Sequence, residues 1–288
     1  MNIFSSPPKT EYTVLNLGAG VQSSALALMA AHGEITPMPD FAVFADTGAE
    51  PQSVYDWLDV LEKLLPYPIH RVQEGNLTDD SLLVGTISRG PNIGMPKVRR
   101  LIPAFGELPN GEKTAAIGRN CTASYKIVPI ERKLKELCGI KRGQKNITVT
   151  QWIGISWDEI QRAKPSKALW SQIHWPLLEK RIDRMACIKW MIDNGYPIPP
   201  RSACVYCPFH SDSEWRRLRD EEPDEFAKAV KFDDDLRTAH RDHNPTMNMT
   251  VYLHNSCKPL DQVDFDNDED KGQQVWDFQA ECEGMCGV

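Results

Sequence analysis

Short apolar runs alternate with stretches of helical periodicity through the first half of the chain. Tyr12 to Leu17 is apolar and partly β-branched, which predicts a buried strand. Ser23 to His32 reads as a helix, with Leu26, Met29 and Ala30 on one face and Gly33 as its stop. Phe41 to Ala45 predicts a second strand, ending in Asp46-Thr47-Gly48, and Gln52 to Leu65 a second helix opened by Pro51. Ile69 to Val72 and Ile147 to Ile153 supply a third and a fourth strand. Strands alternating with helices imply parallel pairing, hence an α/β fold with a doubly wound, mostly parallel sheet. Ligands of such sheets sit beyond the strands' C-terminal ends, where strand order reverses.

The remaining pattern is less regular. Thr86 to Gly118 has little periodicity and reads as a long loop or an insertion near the site. Glu131, Arg132, Lys133, Lys135 and Glu136 lie on one amphipathic helix. His174 and Trp175 read as a packed turn, and Trp215, Leu218, Phe226, Val230 and Phe232 as core positions of two short helices. The expected organisation is a domain over 10–175, carrying a basic insertion at about 75–120, and a mainly helical or irregular, cysteine-bearing region over 176–288 with an acidic tail.

Composition narrows the class. The 288 residues contain no fixed-period repeat, which argues against a solenoid, and no apolar run long enough to span a bilayer. The first dozen residues lack a secretory apolar region, so a cytoplasmic location is expected. In a reducing compartment the eight cysteines point to metal or thiol chemistry and not to a disulfide framework. Charge is uneven: Arg89 to Lys145 holds 13 Lys/Arg against 4 Asp/Glu, whereas Asp261 to Val288 holds 9 acidic residues and one lysine. The basic stretch suits the phosphates of a nucleotide or nucleic acid, with a solvated face as the alternative. Arg99, Arg100, Arg119 and Lys126 are its candidate contacts.

Gly18-Ala19-Gly20-Val21-Gln22-Ser23 stands where the first strand hands over to the first helix. Its amides, with the Ser23 and Ser24 hydroxyls, can face an anion favoured by the helix dipole. The alternative is a tight turn with an N-capping serine. The spacing is neither G-x-G-x-x-G nor G-x-x-x-x-G-K-[ST]. Farther on, Cys204-Val205-Tyr206-Cys207 is a C-x-x-C whose turn can bring two sulfurs onto one metal. Cys121 and Cys187 are its candidate partners, while Cys138 reads as helix-end packing. Spacing leaves zinc, a [4Fe–4S] cluster and no metal all open. Pro208-Phe209-His210 gives no thioredoxin-like context.

Residues 18–23 resemble the PP-loop, S-G-G-x-D-S, of the ATP pyrophosphatases and phosphoadenosine phosphosulfate reductases, with glycine for the first serine and glutamine for the aspartate. Asp46-Thr47-Gly48 resembles the "DTG" of that superfamily, and Gly154 to Arg162 its G-x-x-x-D-E-x-x-R element. The resemblance covers roughly residues 12 to 165 and implies a Rossmann-like, adenine nucleotide alpha hydrolase-like domain. ATP or another adenine nucleotide would be held by Gly18, Ala19, Gly20, Val21, Gln22, Ser23 and Ser24, by Asp46, Thr47 and Gly48, and by Gly154 and Arg119. Asp46, Glu159 and Arg162 are the implied catalytic residues. Gln22 weakens magnesium binding at its position, which Asp158 or Glu159 would take over.

Cys121, Cys187, Cys204 and Cys207 are laid out as in the cluster-bearing branch, which tilts the metal toward [4Fe–4S] with zinc as the alternative. The activity implied is cleavage of ATP to AMP and pyrophosphate, coupled to sulfur-transfer or redox chemistry on a nucleotide or nucleic acid (DNA or tRNA). The electron or sulfur donor is unidentified, and a homodimer is compatible with the reading. Two alternatives stand beside it. One is a sulfonucleotide reductase whose nucleophile is Cys282, in Glu281-Cys282-Glu283-Gly284; the other is a non-catalytic nucleotide-binding module with structural zinc. Cys257, Cys282 and Cys286 form a further candidate metal set.

Overall fold

A computed structural model of the chain describes residues 7–265. Among these residues the order is β1 (Tyr12–Asn16), α1 (Val21–Ala31), β2 (Phe41–Asp46), α2 (Gln52–Leu64), β3 (Ile69–Gln73), α3 (Leu77–Leu82), β4 (Val84–Thr86), β5 (Pro96–Val98), β6 (Ala104–Glu107) and β7 (Lys113–Ile117). A π-helical stretch, Thr122–Ile127, runs into α4 (Val128–Leu137), followed by β8 (Val149–Ile153), a 3-10 stretch Trp157–Arg162, and β9 (Ser171–His174). The chain continues through α5 (Pro176–Glu179), α6 (Arg184–Asp193), α7 (Asp212–Glu221), α8 (Pro223–His243) and β10 (Thr250–Tyr252).

Five strands pair in parallel in the order β3-β2-β1-β8-β9. The chain steps outward from β1 to β2 and β3, then returns on the other side of β1. Strand order therefore reverses between β1 and β8. Side chains alternate across the sheet as a two-residue period requires. Leu15, Ala42, Phe44 and Trp152 join the core under α1, α2 and α6, while Val14, Val43, Ala45 and Val149 join Ile130 and Leu134 of α4. Helices cover both faces, so the fold is the α/β, doubly wound parallel sheet that the periodicity predicts. Every residue from Val21 to Ala30 is buried, because α6 lies over the side of α1 turned away from the sheet and adds Cys187 and Met191 to this core.

Several predicted elements change. His174 is not in a turn: it ends β9, an edge strand whose sequence, Ser-Gln-Ile-His, carries only one aliphatic residue. Its polar side chains are buried and paired, Gln172 Nε2 donating to the Pro8 carbonyl at 2.8 Å and Gln151 Nε2 donating to Ser171 Oγ at 2.9 Å. That satisfaction removes the cost of burying them. The stretch 86–118 is not a loop either. It holds β5 to β7; β5 pairs with β4, and β6 pairs with β7 and with the distant β10. A Cβ on Gly106 of β6 would meet the side-chain atoms Met249 Sδ at 2.6 Å and Thr114 Oγ1 at 2.8 Å, so a larger residue there requires those two side chains to shift. Of the two helices expected after the C-x-x-C, α7 is short but α8 runs for 21 residues.

A second core joins the two halves of the chain. Leu77, Ile102, Ala104 and Tyr125 pack with Val205, Trp215, Phe232, Leu236 and Val251. Among the described residues no helix is long and apolar enough to cross a membrane.

Candidate functional site

The bend after β1 lies at the strand-order reversal. Leu17 N donates to the Val43 carbonyl at 2.9 Å, which fixes where the chain leaves the sheet. Ala19 then adopts φ +63°, a left-handed conformation that L side chains rarely take, and the pattern in which it stands has a glycine there. Ser24 N closes the first turn of α1 onto the Gly20 carbonyl at 3.0 Å. The amides of Val21, Gln22 and Ser23 come before that bond, and they are the donors that a helix offers to an anion. Ser24 is directed elsewhere: its Oγ is buried and accepts from Trp57 Nε1 at 2.9 Å.

The chain after β8 passes directly over this bend. A Cβ at Gly154 would lie 2.9 Å from both the N and the Cα of Ser23, so only glycine permits the approach. Asp158 and Glu159 diverge from there. Asp158 Oδ1 accepts the Arg184 backbone N–H at 3.0 Å at the start of α6. Glu159 is buried, unlike the surface carboxylate that its place beside a helix start suggests, and its Oε2 is 2.7 Å from Arg162 Nη1. Gln22 Nε2 lies 3.4 Å from Glu159 Oε2 and from Ser156 Oγ, and Gln22 Oε1 accepts from Arg184 Nη1 at 2.9 Å. Gln22, Glu159, Arg162 and Arg184 thus meet at the N-terminus of α1. Arg184 escaped the sequence reading because it is 162 positions from Gln22, and its own turn signals only a helix start capped by Asp183.

The Asp46-Thr47-Gly48 segment makes a pinned turn. Asp46 Oδ1 accepts from Gly48 N and from Tyr55 Oη, each at 2.7 Å, and Gly48 has φ +70°. Burial, then the bond to Asp46, raise the Tyr55 pKa and keep its hydroxyl a donor. Thr47 is buried, with Oγ1 3.3 Å from Cys204 Sγ, and Val205 N donates to the Ala49 carbonyl at 2.8 Å. The C-x-x-C hairpin is therefore docked on the loop after β2. Beneath it Glu50 Oε1 and Lys126 Nζ form a buried ion pair at 3.3 Å.

Burial, with Glu50 next in weight, raises the Cys204 thiol well above its ordinary pKa, so a proton is held on sulfur here. His210 is buried behind the hairpin with Nε2 3.0 Å from the Cys204 carbonyl, and burial drives its pKa down to about 3. Arg119 lies over the Phe209 ring at 5.3 Å, while Arg99 and Arg100 line a separate recess with His240.

The four cysteines proposed as metal ligands are distributed over two cores. Cys121 and Cys204 border the second core; Cys187 is fully buried in the first, under α1. Cys207 N donates to the Cys204 carbonyl at 2.9 Å, which keeps that pair in a tight turn. Among the described residues no three His, Cys, Asp or Glu side chains converge as a metal-binding group. Cys138 caps α4 within the third core, where burial pushes its thiol up to about 11. Cys257 has φ +52° and Sγ 3.5 Å from the Gly106 carbonyl; Cys282 and Cys286 lie outside the described residues.

No family model matches the chain, and no curated protein matches it. Among solved structures, phosphoadenylyl-sulfate (PAPS) reductase from Candida auris, in a phosphate complex, is similar with a TM-score of 0.41 and 13% sequence identity, covering 69% of this chain and 78% of that one.

Proposed function

We propose that the chain is an enzyme of the PP-loop kind that binds an adenine nucleotide between the bend at 18–23 and the turn at 46–48, and cleaves ATP to AMP and pyrophosphate. One observation carries the reading. The bend sits at the reversal between β1 and β8, where α/β sheets take their ligands, and the chain after β8 brings a buried carboxylate and two arginines to the same helix N-terminus. Held there, the phosphate chain would have its charge balanced by helix amides and guanidinium groups, leaving the α-phosphorus to a substrate oxygen. Adenylation makes that oxygen a leaving group, which suits sulfur transfer or redox chemistry on a nucleotide or nucleic acid. No step is assigned to a metal or cluster.

A second reading has its own support. Cys204 lies 3.3 Å from Thr47, which puts a thiol beside the loop expected to hold the ribose and adenine. Because that sulfur keeps its proton, Cys204 is a neighbour of the nucleotide in this reading and not its nucleophile, and a sulfonucleotide reductase would use Cys282 for the attack. One experiment separates the two. Anaerobically purified protein is incubated with ATP or with adenylylsulfate plus a thiol reductant, products are resolved by chromatography, and iron, sulfide and zinc are measured in the same preparation. AMP and pyrophosphate from ATP support the first reading, and AMP and sulfite from adenylylsulfate the second. ADP and phosphate from ATP would count against both.

A further inference from the structure

We propose that the β4–β5 hairpin and the Arg99-Arg100 step that follows it form a surface for the sugar–phosphate backbone of a nucleic acid. The inference rests on the reading above and deepens it, naming nucleic acid as the class of acceptor brought to the nucleotide site. Charge is the first observation. From Ser81 to Gly106 the chain has no Asp or Glu, yet it carries Arg89, Lys97, Arg99 and Arg100, all exposed. Among the described residues none of these four side chains has an ion-pair or hydrogen-bond partner. On α7 and α8 the pattern is the opposite: Arg217 pairs with Glu214 at 2.8 Å, Lys228 with Glu225 at 2.9 Å and Arg241 with Asp242 at 2.8 Å. A patch without such pairs leaves its cations to a polyanion. Of the four cations singled out in the sequence, Lys126 is tied to Glu50 and Arg119 lies over Phe209, so Arg99 and Arg100 remain.

The second observation is the recess that Arg99 and Arg100 line together with His240 and the apolar Ile102, Leu236 and Val251. His240 is 6% exposed, and its Nδ1 accepts from Asn244 Nδ2 at 3.1 Å. Thr246 Oγ1 donates to Asn244 Oδ1 at 3.2 Å, which fixes the amide in that orientation. The imidazole proton therefore stands on Nε2, which has no partner among the described residues and is the donor the ring offers to the recess. Two guanidinium groups and one N–H beside apolar side chains suit a phosphodiester oxyanion, whose geometry an arginine fork matches. Placement is the third observation. Leu77 N, at the start of α3, donates to the Thr47 carbonyl at 3.0 Å, and β4 follows α3 directly. The hairpin thus begins one six-residue helix, about 9 Å, from the turn at 46–48, and a backbone held on it lies within reach of the proposed nucleotide. An anionic bilayer is bound by cations laid over an apolar face. Here the exposed Ile93 and Met95 lie toward the turn of the hairpin and the two arginines follow its base, so the apolar and cationic parts are separated.

Fluorescence anisotropy tests this on the full chain without ATP, using labelled DNA of about 20 nucleotides, single-stranded and duplex, from about 50 to 200 mM salt. Backbone contacts carry no sequence information, so an arbitrary sequence serves as the probe. The unaltered protein is compared with three double variants: Arg99→Gln with Arg100→Gln, Arg89→Gln with Lys97→Gln, and Lys141→Gln with Arg142→Gln. The last removes the same charge from the exposed turn between α4 and β8, at the end of the sheet opposite the site. Arg99→Gln with Arg100→Gln is expected to lose about tenfold or more in affinity and to flatten the slope of log affinity against log salt by about one to two, as two lost phosphate contacts require. Arg89→Gln with Lys97→Gln loses about threefold or more, and Lys141→Gln with Arg142→Gln less than about twofold.

Equal losses in all three double variants would mean a net-charge effect and overturn the inference. Absence of DNA binding by the unaltered protein overturns it too, as does sedimentation with phosphatidylserine vesicles in place of DNA binding. If Arg99→Gln with Arg100→Gln shows no folded baseline in thermal unfolding, Arg89→Gln with Lys97→Gln decides by its loss or the absence of one. Calorimetric titration of the unaltered protein with ATP keeps the two readings apart. Failure to bind ATP overturns the nucleotide reading while hairpin-dependent DNA binding still supports the surface, whereas ATP binding without that dependence overturns the surface alone.

Discussion

Gly154 and Ser23 touch backbone to backbone across the reversal between β1 and β8, so closely that a Cβ on the glycine would stand 2.9 Å from the serine N and Cα. Gly154→Ala must therefore push β8's exit off the bend. Overpacking of this kind costs about 1–3 kcal/mol. We expect a lower midpoint of thermal unfolding and a fall of about tenfold or more in nucleotide affinity, read by calorimetry. An alanine variant that binds as well as the parent would refute the placement of the site.

Ala19 is the bend's other strained point. Relieving φ +63° with glycine removes a steric cost of about 1 kcal/mol but returns freedom to the unfolded chain, so Ala19→Gly should be close to neutral in chemical denaturation. Ala19→Val, β-branched in the same conformation and fully buried, should destabilise by more than about 2 kcal/mol.

Glu50 and Lys126 are each nearly sealed from solvent at the foot of the loop after β2. Removing one partner of such a pair leaves a buried charge and costs about 3–5 kcal/mol, while replacing both by apolar residues is much milder. Lys126→Met and Glu50→Met should each unfold at lower denaturant, and the double variant Lys126→Met with Glu50→Met should recover most of the loss. Simple additivity in that cycle would show that the two residues do not interact.

His240 supplies a pH dependence. Burial, and then Arg100, lower its pKa from 6.5 to about 4. The unfolded chain therefore takes up a proton that the folded one refuses as pH falls from about 6.5 toward 4, and His240's contribution is present above that window and lost through it. Stability measured across this range should fall less steeply for His240→Gln than for the parent. Parallel slopes would mean that the imidazole titrates freely in the fold.

Cys187 and the C-x-x-C separate in metal content. Cys187→Ala should cost stability through a cavity in the first core, by roughly 1–3 kcal/mol, and leave bound iron or zinc unchanged. Cys204→Ser or Cys207→Ser should lower whatever metal is retained. Metal loss in Cys187→Ala by elemental analysis would return that thiol to the ligand set.

Legibility in the sequence tracks the range of the interactions. β1, β2 and β8 are buried on both faces, so their strands are readable to within a residue or two, whereas the edge strand β3, Ile-His-Arg-Val-Gln, is only partly buried and is legible through Ile69 and Val72. β9 was missed because its burial is met by paired glutamine and serine side chains. β6 was missed because its pairing with Thr250–Tyr252 is invisible to any local window. At the site, Gly18 to Ser23 and Gly154 to Arg162 are the segments that the resemblance singles out, and the fold brings them against each other at the start of α1. Ser24, in contrast, looked like part of the cradle because a free hydroxyl and one bonded to Trp57 have the same sequence. Arg184 and the scatter of the cysteines over two cores depend on how α6 lies against α1, which no short motif encodes.

The second core sets a practical limit on dissecting the molecule. Because Leu77, Ile102 and Tyr125 share their packing with Trp215, Phe232 and Val251, a stop codon placed after β9 would strand a greasy surface on the translated fragment. Such a fragment should aggregate when expressed alone and regain solubility when the missing polypeptide is supplied in trans.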